Sequence, residues 1–264
     1  MKIAVVTGAS SGMGREFARQ IAAEGQLDEI WVIARRAGRL RELKEELESG
    51  IKTADGRPAV RIRPLALDLT KEQSVEQLEE ELAKRRPDVK ILVNASGFGK
   101  YGTYKDLTDE EISQMIDLNC KSLVRLTYRV LPFMKGGGRV LILGSASAFQ
   151  PLPEFNMYAS TKAFVVHFSR ALHVELKSRR ISVTCVCPGY VRTEFFAVAQ
   201  DTKNPDTCKN FKPMYEPVDV VRKALRDSKR GRDLSVLGLD TKLKRLSGKL
   251  LPARLVMSVW MKIK

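Results

Sequence analysis

The sequence predicts a doubly wound α/β protein, in which a parallel seven-stranded sheet carries helices on both faces. Two observations support this prediction: apolar runs alternate with helical segments, and a glycine-rich turn joins the first run to the first helix. Strands that alternate with helices of ten or more residues form parallel sheets with right-handed crossovers. The predicted strands are residues 3–7, 30–34, 60–66, 91–94, 140–143, 181–187 and 234–237.

Short polar motifs mark the ends of the elements between these strands. Thr70 with Gln73 and Thr108 with Glu111 have the spacing of a capping box, which predicts a helix start at each place. The Asp-Gly pair at residues 55–56 predicts a turn before the third strand.

The alternation of strands and helices predicts a single domain over residues 1–240, followed by a basic amphipathic C-terminal extension over residues 241–264. Of the 264 residues, 44% are hydrophobic and 29% are charged, which provides a large apolar core. The first apolar run begins at Ile3, so no signal-peptide pattern precedes it, and no run approaches the roughly 18 apolar residues of a spanning helix. We therefore expect a cytoplasmic protein.

The cysteines and histidines are predicted to pack in the interior and to bind no metal. Cys185 and Cys187 lie two residues apart in an apolar strand, so their side chains share one face. His167 and His173 both lie in one helical segment, which leaves the thiols without partners at the spacing of metal ligands.

Positive charge is concentrated towards the C-terminus. The formal net charge is +15, and residues 201–264 contain 16 Lys or Arg against 7 Asp or Glu. From residue 241 onward there are seven basic residues and no acidic one. This distribution indicates either an anionic partner or a solvated basic face. The basic residues lack interleaved aromatics and no nucleic-acid motif is present, so nucleic acid is not a predicted partner.

Apolar residues of the extension recur with helical spacing. Leu251, Leu255, Val259 and Ile263 are four apart and predict one apolar stripe. Such a helix could make peripheral contact with an anionic membrane, or it could pack on its own domain or on a second subunit. Packing is favoured, because Pro252 shortens the helix and the stripe is narrow.

The turn after the first strand has the composition of a phosphate-binding loop. Glycines there allow a tight turn and a close approach of the backbone to a pyrophosphate, and the following helix offers unpaired N–H groups. The candidate contacts are Gly8, Ser10, Ser11, Gly12, Met13 and Gly14.

The spacing Thr-Gly-x3-Gly-x-Gly resembles that of the classical short-chain dehydrogenase/reductase family. The resemblance covers about residues 1–240 and implies a Rossmann-type fold, a dinucleotide cofactor and hydride transfer between nicotinamide and a carbonyl or alcohol carbon. It also implies a homo-oligomer, a dimer or a tetramer. The glycine-rich C-terminal turn with which many members end is missing here, which weakens the tetramer expectation.

The end of the second strand indicates which dinucleotide is bound. Arg35 and Arg36 stand where an acidic residue would bind the ribose 2′-hydroxyl, and guanidinium groups match a 2′-phosphate, so NADP(H) is the predicted cofactor. By resemblance, Asp68 and Leu69 lie beside the adenine. The segment after the fourth strand resembles the Asn-Asn-Ala-Gly motif of the family, and its residues are Asn94, Ala95, Ser96 and Gly97.

The predicted catalytic residues follow later strands. Tyr158 and Lys162 are one helical turn apart, so the lysine can lower the pKa of the tyrosine hydroxyl and help it to donate a proton. By resemblance, Ser145 orients the substrate oxygen, Asn119 supports a proton relay, and Lys162 also binds the nicotinamide ribose. A further segment resembles the family's contact with the nicotinamide carboxamide, and the cofactor contacts assigned there are Pro188, Gly189, Val191 and Thr193.

Aromatic and aliphatic residues near these motifs predict a hydrophobic small-molecule substrate such as a steroid, a 3-oxoacyl compound or an aromatic ketone. The other interpretation is that half of these side chains are ordinary core. They are Phe98, Phe149, Phe155, Met157, Tyr190, Phe195, Phe196, Val198 and Phe211. A catalytically silent NADP(H) sensor on the same fold is the alternative function.

Overall fold

A computed structural model describes residues 1–50 and 59–264, and a parallel sheet runs through its centre. The strands are β1 (Lys2–Thr7), β2 (Glu29–Ala34), β3 (Arg61–Ala66), β4 (Asp88–Asn94), β5 (Arg139–Leu143), β6 (Ser182–Val186), β7 (Tyr190–Val191), β8 (Met214–Tyr215) and β9 (Leu234–Ser235). Seven of them form the main sheet in the order β3-β2-β1-β4-β5-β6-β9, with every neighbouring pair parallel. The predicted fold class is therefore confirmed.

Helices cover both faces of this sheet. They are α1 (Gly12–Ala23), α2 (Ala37–Gly50), α3 (Glu72–Arg85), α4 (Asp109–Ile116), α5 (Leu123–Val130), α6 (Asn156–Glu175), α7 (Phe195–Gln200), α8 (Pro217–Lys229), α9 (Leu239–Leu250) and α10 (Ala253–Ile263). Side chains alternate along each strand, so β1 contributes Ile3 and Val5 to one core layer and Ala4 and Val6 to the other. The first layer packs against α3, α5 and α6, and the second against α1, α2 and α8.

Of the two predicted capping boxes, one is confirmed and one is wrong. Thr108 caps α4, and its hydroxyl and the Glu111 carboxylate satisfy each other's backbone N–H groups. At the other site, α3 begins at Glu72, and the Thr70 hydroxyl instead donates to Asp68 Oδ1 at 2.8 Å. The Asp68 carboxylate is a charged acceptor two residues away. The Thr70 hydroxyl therefore bonds to Asp68 and does not cap α3. The turn predicted at residues 55–56 lies outside the described residues.

The connection between β6 and α8 contains regular structure of its own. It holds the short helix α7 and a two-stranded parallel sheet formed by β7 and β8. After β9, helices α9 and α10 follow with a break at Leu251 and Pro252. Among residues 1–50 and 59–264, no helix is both long enough and apolar enough to cross a bilayer.

Strand order determines where a ligand can bind. The chain runs outward in one direction from β1 to β3 and in the other from β4 to β9, so the crossovers on the two sides of the β1–β4 pair diverge. In open α/β sheets this divergence leaves a crevice beyond the carboxyl ends of the strands.

Candidate active site

A cavity of about 960 Å³ occupies that crevice. The glycine-rich loop between β1 and α1 forms one end of it, and the segments after β4, β5 and β6 form its middle. The C-terminal helices α9 and α10 contribute to the opposite end. Its size is that of a site for a large organic ligand.

The glycine-rich loop is held close to the sheet by a network of backbone contacts. The Thr7 hydroxyl accepts hydrogen bonds from the N–H groups of Ala95 and Ser96, both at 3.1 Å, which ties the ends of β1 and β4 together. Helix α1 begins at Gly12, so its first N–H groups face the cavity end of the loop. A Cβ on Gly14 would overlap the carbonyl oxygen of Gly8. This loop can therefore hold an anion such as a pyrophosphate.

The two arginines after β2 line the same end of the cavity. Arg36 donates to the hydroxyls of Ser10, at 3.1 Å, and Ser11, at 2.7 Å, and forms a 2.9 Å ion pair with Glu194. The hydrogen bond from Arg36 holds the pKa of Glu194 below its usual range, so this carboxylate is ionised beside the arginine. The guanidinium groups are positioned to bind a phosphate group in addition to the pyrophosphate at the loop. The Glu194 carboxylate would compete with that phosphate for Arg36.

Asp68 and Leu69 follow β3 and line the cavity beside these arginines. Burial alone would raise the pKa of Asp68, but hydrogen bonds from Thr70 and the charge of Arg35 hold it below its usual value. The carboxylate is therefore ionised in the neutral range and can accept hydrogen bonds from a ligand.

Ser145 and Tyr158 meet at the middle of the cavity. Ser145 lies two residues beyond β5, and Tyr158 lies in the first turn of α6. The two hydroxyls lie near each other, and Ser147 donates to Ser145 Oγ at 2.8 Å. The Tyr158 ring packs between Phe155 and Phe195, with ring centroids 4.6 and 5.2 Å away. A carbonyl oxygen placed here would meet two hydroxyl groups held in fixed positions.

Lys162 and Asn119 lie behind the cavity wall. Lys162 Nζ donates to the Leu143 carbonyl at 2.7 Å and is 5.7 Å from the centroid of the Tyr158 ring. Asn119 lies in a π-helical turn between α4 and α5, a kind of irregularity frequent at functional sites. Its amide clamps the backbone of Phe98, accepting from the N–H at 3.1 Å and donating to the carbonyl at 2.8 Å.

Comparison with known proteins identifies this arrangement. Residues 2–204 match the short chain dehydrogenase family. The chain belongs to this family. It is 33% identical over 214 residues to the very-long-chain 3-oxoacyl-CoA reductase of Bos taurus. This alignment covers 77% of this chain and 65% of that protein. It is also 33% identical over 226 residues to the NADP-dependent 3-hydroxy acid dehydrogenase of Schizosaccharomyces pombe, covering 83% of each chain.

A solved structure supports the same assignment over almost the whole chain. The short-chain dehydrogenase from Sphingobium yanoikuyae in complex with NADPH superposes with a TM-score of 0.78 at 28% identity, covering 98% of this chain and 96% of that one. The aligned part of this chain thus spans somewhat less than two thirds of the bovine relative and nearly all of the bacterial one.

Most of the cofactor contacts predicted for this short-chain dehydrogenase line the cavity. Those that do are Gly8, Ser10, Ser11, Gly12, Met13, Gly14, Arg35, Arg36, Asp68, Leu69, Ala95, Ser96, Gly97, Tyr158, Pro188, Gly189, Val191 and Thr193. Asn94 does not. It is the last residue of β4, and its side chain donates to the Thr127 hydroxyl on α5 at 2.8 Å, so the alternation of the strand turns it into the core. Lys162 and Asn119 are likewise separated from the cavity, by the segment that contains Gly97 and Phe98.

Tyr158 and Lys162 are both buried, and burial shifts the pKa of each. Burial raises the pKa of the Tyr158 hydroxyl above its usual value, and the nearby Ser145 hydroxyl opposes that rise. Burial also lowers the pKa of Lys162 to about 8. The lysine amine donates to the Leu143 carbonyl and lies 5.7 Å from the centroid of the Tyr158 ring, so its charge is close to the tyrosine when it is protonated.

The lowered pKa of Lys162 predicts that this lysine adds to the stability of the folded protein as the pH rises from about 8 to 10. The gain is the difference between wild type and Lys162→Met, because burial raises the pKa of the Cys120, Cys187 and Cys208 thiols and they act in the opposite direction. In this window the folded protein has released a proton that the unfolded chain, with an ordinary lysine pKa of 10.5, still binds. Two pKa units correspond to about 3 kcal/mol in the free energy of unfolding. Urea unfolding at pH 7, 8, 9 and 10 measures this gain, and Lys162→Met should abolish it. The exposed Lys177→Met is the control; an equal gain in all three proteins would contradict the assignment.

Sequence reasoning missed several residues that line the cavity. Val256 and Trp260 of α10 lie at the substrate end, and the Trp260 indole donates to the Pro153 carbonyl at 2.9 Å. Lys100 also lines the cavity, is buried, and pairs with Glu111 at 3.4 Å. The tryptophan was visible in the sequence, but it is not one of the four residues of the predicted stripe. Nothing in the sequence marks Lys100.

Proposed function

We propose that this protein is an NADP(H)-dependent oxidoreductase that interconverts a carbonyl and a secondary alcohol on a hydrophobic small molecule. One observation carries the proposal: the paired hydroxyls of Ser145 and Tyr158 face the same cavity as the glycine-rich loop and the arginines after β2. The NADP-dependent yeast relative and the NADPH-bound bacterial structure support the cofactor. The comparisons give no support to the alternative of a catalytically silent sensor.

The residues present fit NADP(H). The backbone of Gly8 and Gly14 leaves no space for side chains, so the loop can approach a pyrophosphate closely. Arg36 and its neighbour Arg35 would bind the 2′-phosphate, whose charge they match. The residues after β6, among them Pro188 and Thr193, would contact the nicotinamide end.

The reaction needs a proton donor as well as a hydride. Bound NADPH supplies the hydride to the carbonyl carbon. Ser145 Oγ holds the carbonyl oxygen by a hydrogen bond, and the Tyr158 hydroxyl transfers its proton to that oxygen as negative charge develops there. The new C–H and O–H bonds yield the alcohol, and the tyrosinate is reprotonated from solvent. In the reverse direction, Tyr158 accepts the proton.

Positive charge close to the tyrosine would favour this proton transfer. Lys162 lies one turn along α6, and its amine is held near Gly97 and Leu143. When ionised, it stabilises the tyrosinate through the low-dielectric interior. Asn119 positions the segment by its bonds to the Phe98 backbone, which keeps the cavity wall in front of the lysine fixed.

The walls of the cavity support a hydrophobic substrate. Of the nine apolar residues named from the sequence, six line the cavity, and they are Phe98, Phe155, Tyr190, Phe195, Phe196 and Val198. Phe211 packs behind them against Tyr190 and Phe196. The bovine relative is named for a very-long-chain 3-oxoacyl-CoA, which is a carbonyl compound with a long apolar part.

Oxidation of NADPH over a carbonyl panel tests the proposal. The panel runs from diketones and aryl ketones to 3-oxosteroids and 3-oxoacyl thioesters, with NADH in parallel. We expect turnover that favours NADPH and rises with the apolar area of the substrate. Equal turnover across the panel would contradict the hydrophobic substrate, and a silent panel with tight NADPH binding would favour the sensor.

Gly14→Ala should abolish NADPH binding. The added methyl group would overlap the Gly8 carbonyl, which is backbone and cannot rotate away, so the loop must open. Fluorescence titration with NADPH measures the loss. Gly38→Ala is the matched control, because no atom lies within 4 Å of its Cβ position in α2. Unchanged affinity in Gly14→Ala would show that the loop does not hold the dinucleotide.

A further inference from the structure

The C-terminal helices α9 and α10 expose much of the apolar surface of the molecule. Seventeen large hydrophobic side chains are exposed among the described residues, and nine of them lie within residues 239–263. Contiguous exposed apolar surface of this kind marks a binding site. We propose that α9 and α10 dock the protein on an anionic lipid surface, with the substrate end of the cavity turned towards it.

Helix α9 has an apolar row that is largely exposed. Leu239, Leu243, Leu246 and Leu250 recur at intervals of four, three and four, so they lie on one face, and they are 76%, 63%, 50% and 67% exposed. The opposite face is fixed to the domain, because a Cβ on Gly248 would overlap the Phe149 carbonyl. The leucine row therefore points away from a firmly seated helix.

Helix α10 has one broad apolar face. Val256 and Trp260 are buried, and they fix the helix to the domain through the bond to the Pro153 carbonyl. The stripe predicted from the sequence lies next to them on the same side of the helix, where Leu255, Val259 and Ile263 line the cavity and are about half exposed.

The charges around these rows match an anionic surface. Seven basic residues and no acidic one occur from residue 241 to the end of the chain. Among the described residues, no carboxylate lies within ion-pair distance of Lys242, Arg245 or Lys249 on α9, nor of Arg254 or Lys262 on α10. Unpaired basic residues beside an exposed apolar row are typical of helices that lie in the interface of an anionic membrane.

This charge distribution argues against two other occupants. A two-fold contact between copies of this chain would bring two uniformly basic segments together without a compensating acidic residue from either. Nucleic acid would match the charge but would leave four exposed leucines of α9 without apolar contact. An anionic lipid surface matches both the positive charge and the exposed leucines.

Docking in this orientation has a consequence for substrate access, which rests on the proposed function. Leu251, Leu255, Val259 and Ile263 line the cavity and are half exposed, so the same side chains face the cavity and the outside. A hydrophobic carbonyl compound dissolved in the lipid could pass between them into the site without crossing water.

Flotation with lipid vesicles tests the docking directly. We expect the full chain to float with vesicles containing phosphatidylglycerol and to remain behind with pure phosphatidylcholine vesicles. Leu243→Gln with Leu250→Gln should lower the partition coefficient at least about tenfold. Lys242→Gln with Lys249→Gln should lower it about fivefold per lysine, with less effect in 0.5 M NaCl. None of these four residues lines the cavity.

Controls separate docking from folding and from catalysis. Val174→Gln with Lys177→Gln changes an exposed apolar and a basic residue at the far end of α6, and it should leave flotation unchanged. Turnover of a water-soluble ketone should be equal in all variants, which tests the proposed reaction independently. Wild-type protein that stays unbound, or flotation unaffected by both double variants, would overturn the proposal. Dissociation of an oligomer by Leu243→Gln with Leu250→Gln, without vesicle binding, would show that a second copy covers the row.

Discussion

Tyr158→Phe is expected to lower turnover by about 10²- to 10⁴-fold, the usual contribution of a positioned proton donor. Only the hydroxyl is removed, so the ring keeps its contacts with Phe155 and Phe195, and the fold should be unaffected. NADPH affinity should change little, because the phosphate-binding loop and the arginines lie at the other end of the cavity. Stopped-flow or steady-state NADPH oxidation, combined with a fluorescence titration of the cofactor, measures both quantities.

Tyr104→Phe is the matched control for this experiment. Tyr104 is 81% exposed and lies outside the cavity, so the same chemical change should leave turnover at the wild-type value. Turnover within a factor of a few of wild type in Tyr158→Phe would show that another group donates the proton. Loss of NADPH binding in this variant would instead mean that the tyrosine acts mainly in cofactor binding.

Arg36→Ala is expected to weaken NADPH binding by about 10- to 100-fold and to leave NADH binding nearly unchanged. Hydrogen bonds between charged partners contribute about 1.5–3 kcal/mol, and only NADPH has the 2′-phosphate that would make them. The guanidinium is already oriented by Ser10 and Ser11, so little further ordering is needed when the phosphate binds. Dissociation constants for the two dinucleotides measure the change in preference.

Two further variants make the result specific to this site. Arg41→Ala removes an exposed arginine of α2 that does not line the cavity and should leave the preference for NADPH intact. Glu194→Gln removes the carboxylate that now pairs with Arg36 and should strengthen NADPH binding. An Arg36→Ala protein that still prefers NADPH as strongly as wild type would shift the assignment to Arg35, or would overturn the prediction of the cofactor.

The elements with strong local signals could be predicted from the sequence. The seven strands of the main sheet were located to within three residues at each start and to within two at each end, because a buried parallel strand needs a continuous apolar run. The glycine-rich loop was recognisable because the tight turn and its close contacts permit no other residue at Gly14. Ser145 and Tyr158 follow motifs whose spacing is typical of the family, and the structure brings their hydroxyls together.

Side-chain direction at the ends of strands could not be predicted in the same way. Asn94 has the right position in the sequence for a cofactor contact, but the alternation of β4 turns it towards Thr127. Likewise, helical spacing places Lys162 beside Tyr158, while the Leu143 carbonyl, nineteen residues away in the chain, takes its hydrogen bond. A partner that is distant in sequence leaves no local pattern.

By itself, the sequence thus determined the doubly wound fold, the phosphate-binding loop and the serine and tyrosine of the site, because each depends on residues that are close together in the chain. Only the tertiary structure decided which face of the C-terminal helices is buried and what they cover. Val256 and Trp260 pack on the domain because the Pro153 carbonyl and the surface around it are complementary to them. That complementarity joins segments about a hundred residues apart, and only folding brings them into contact.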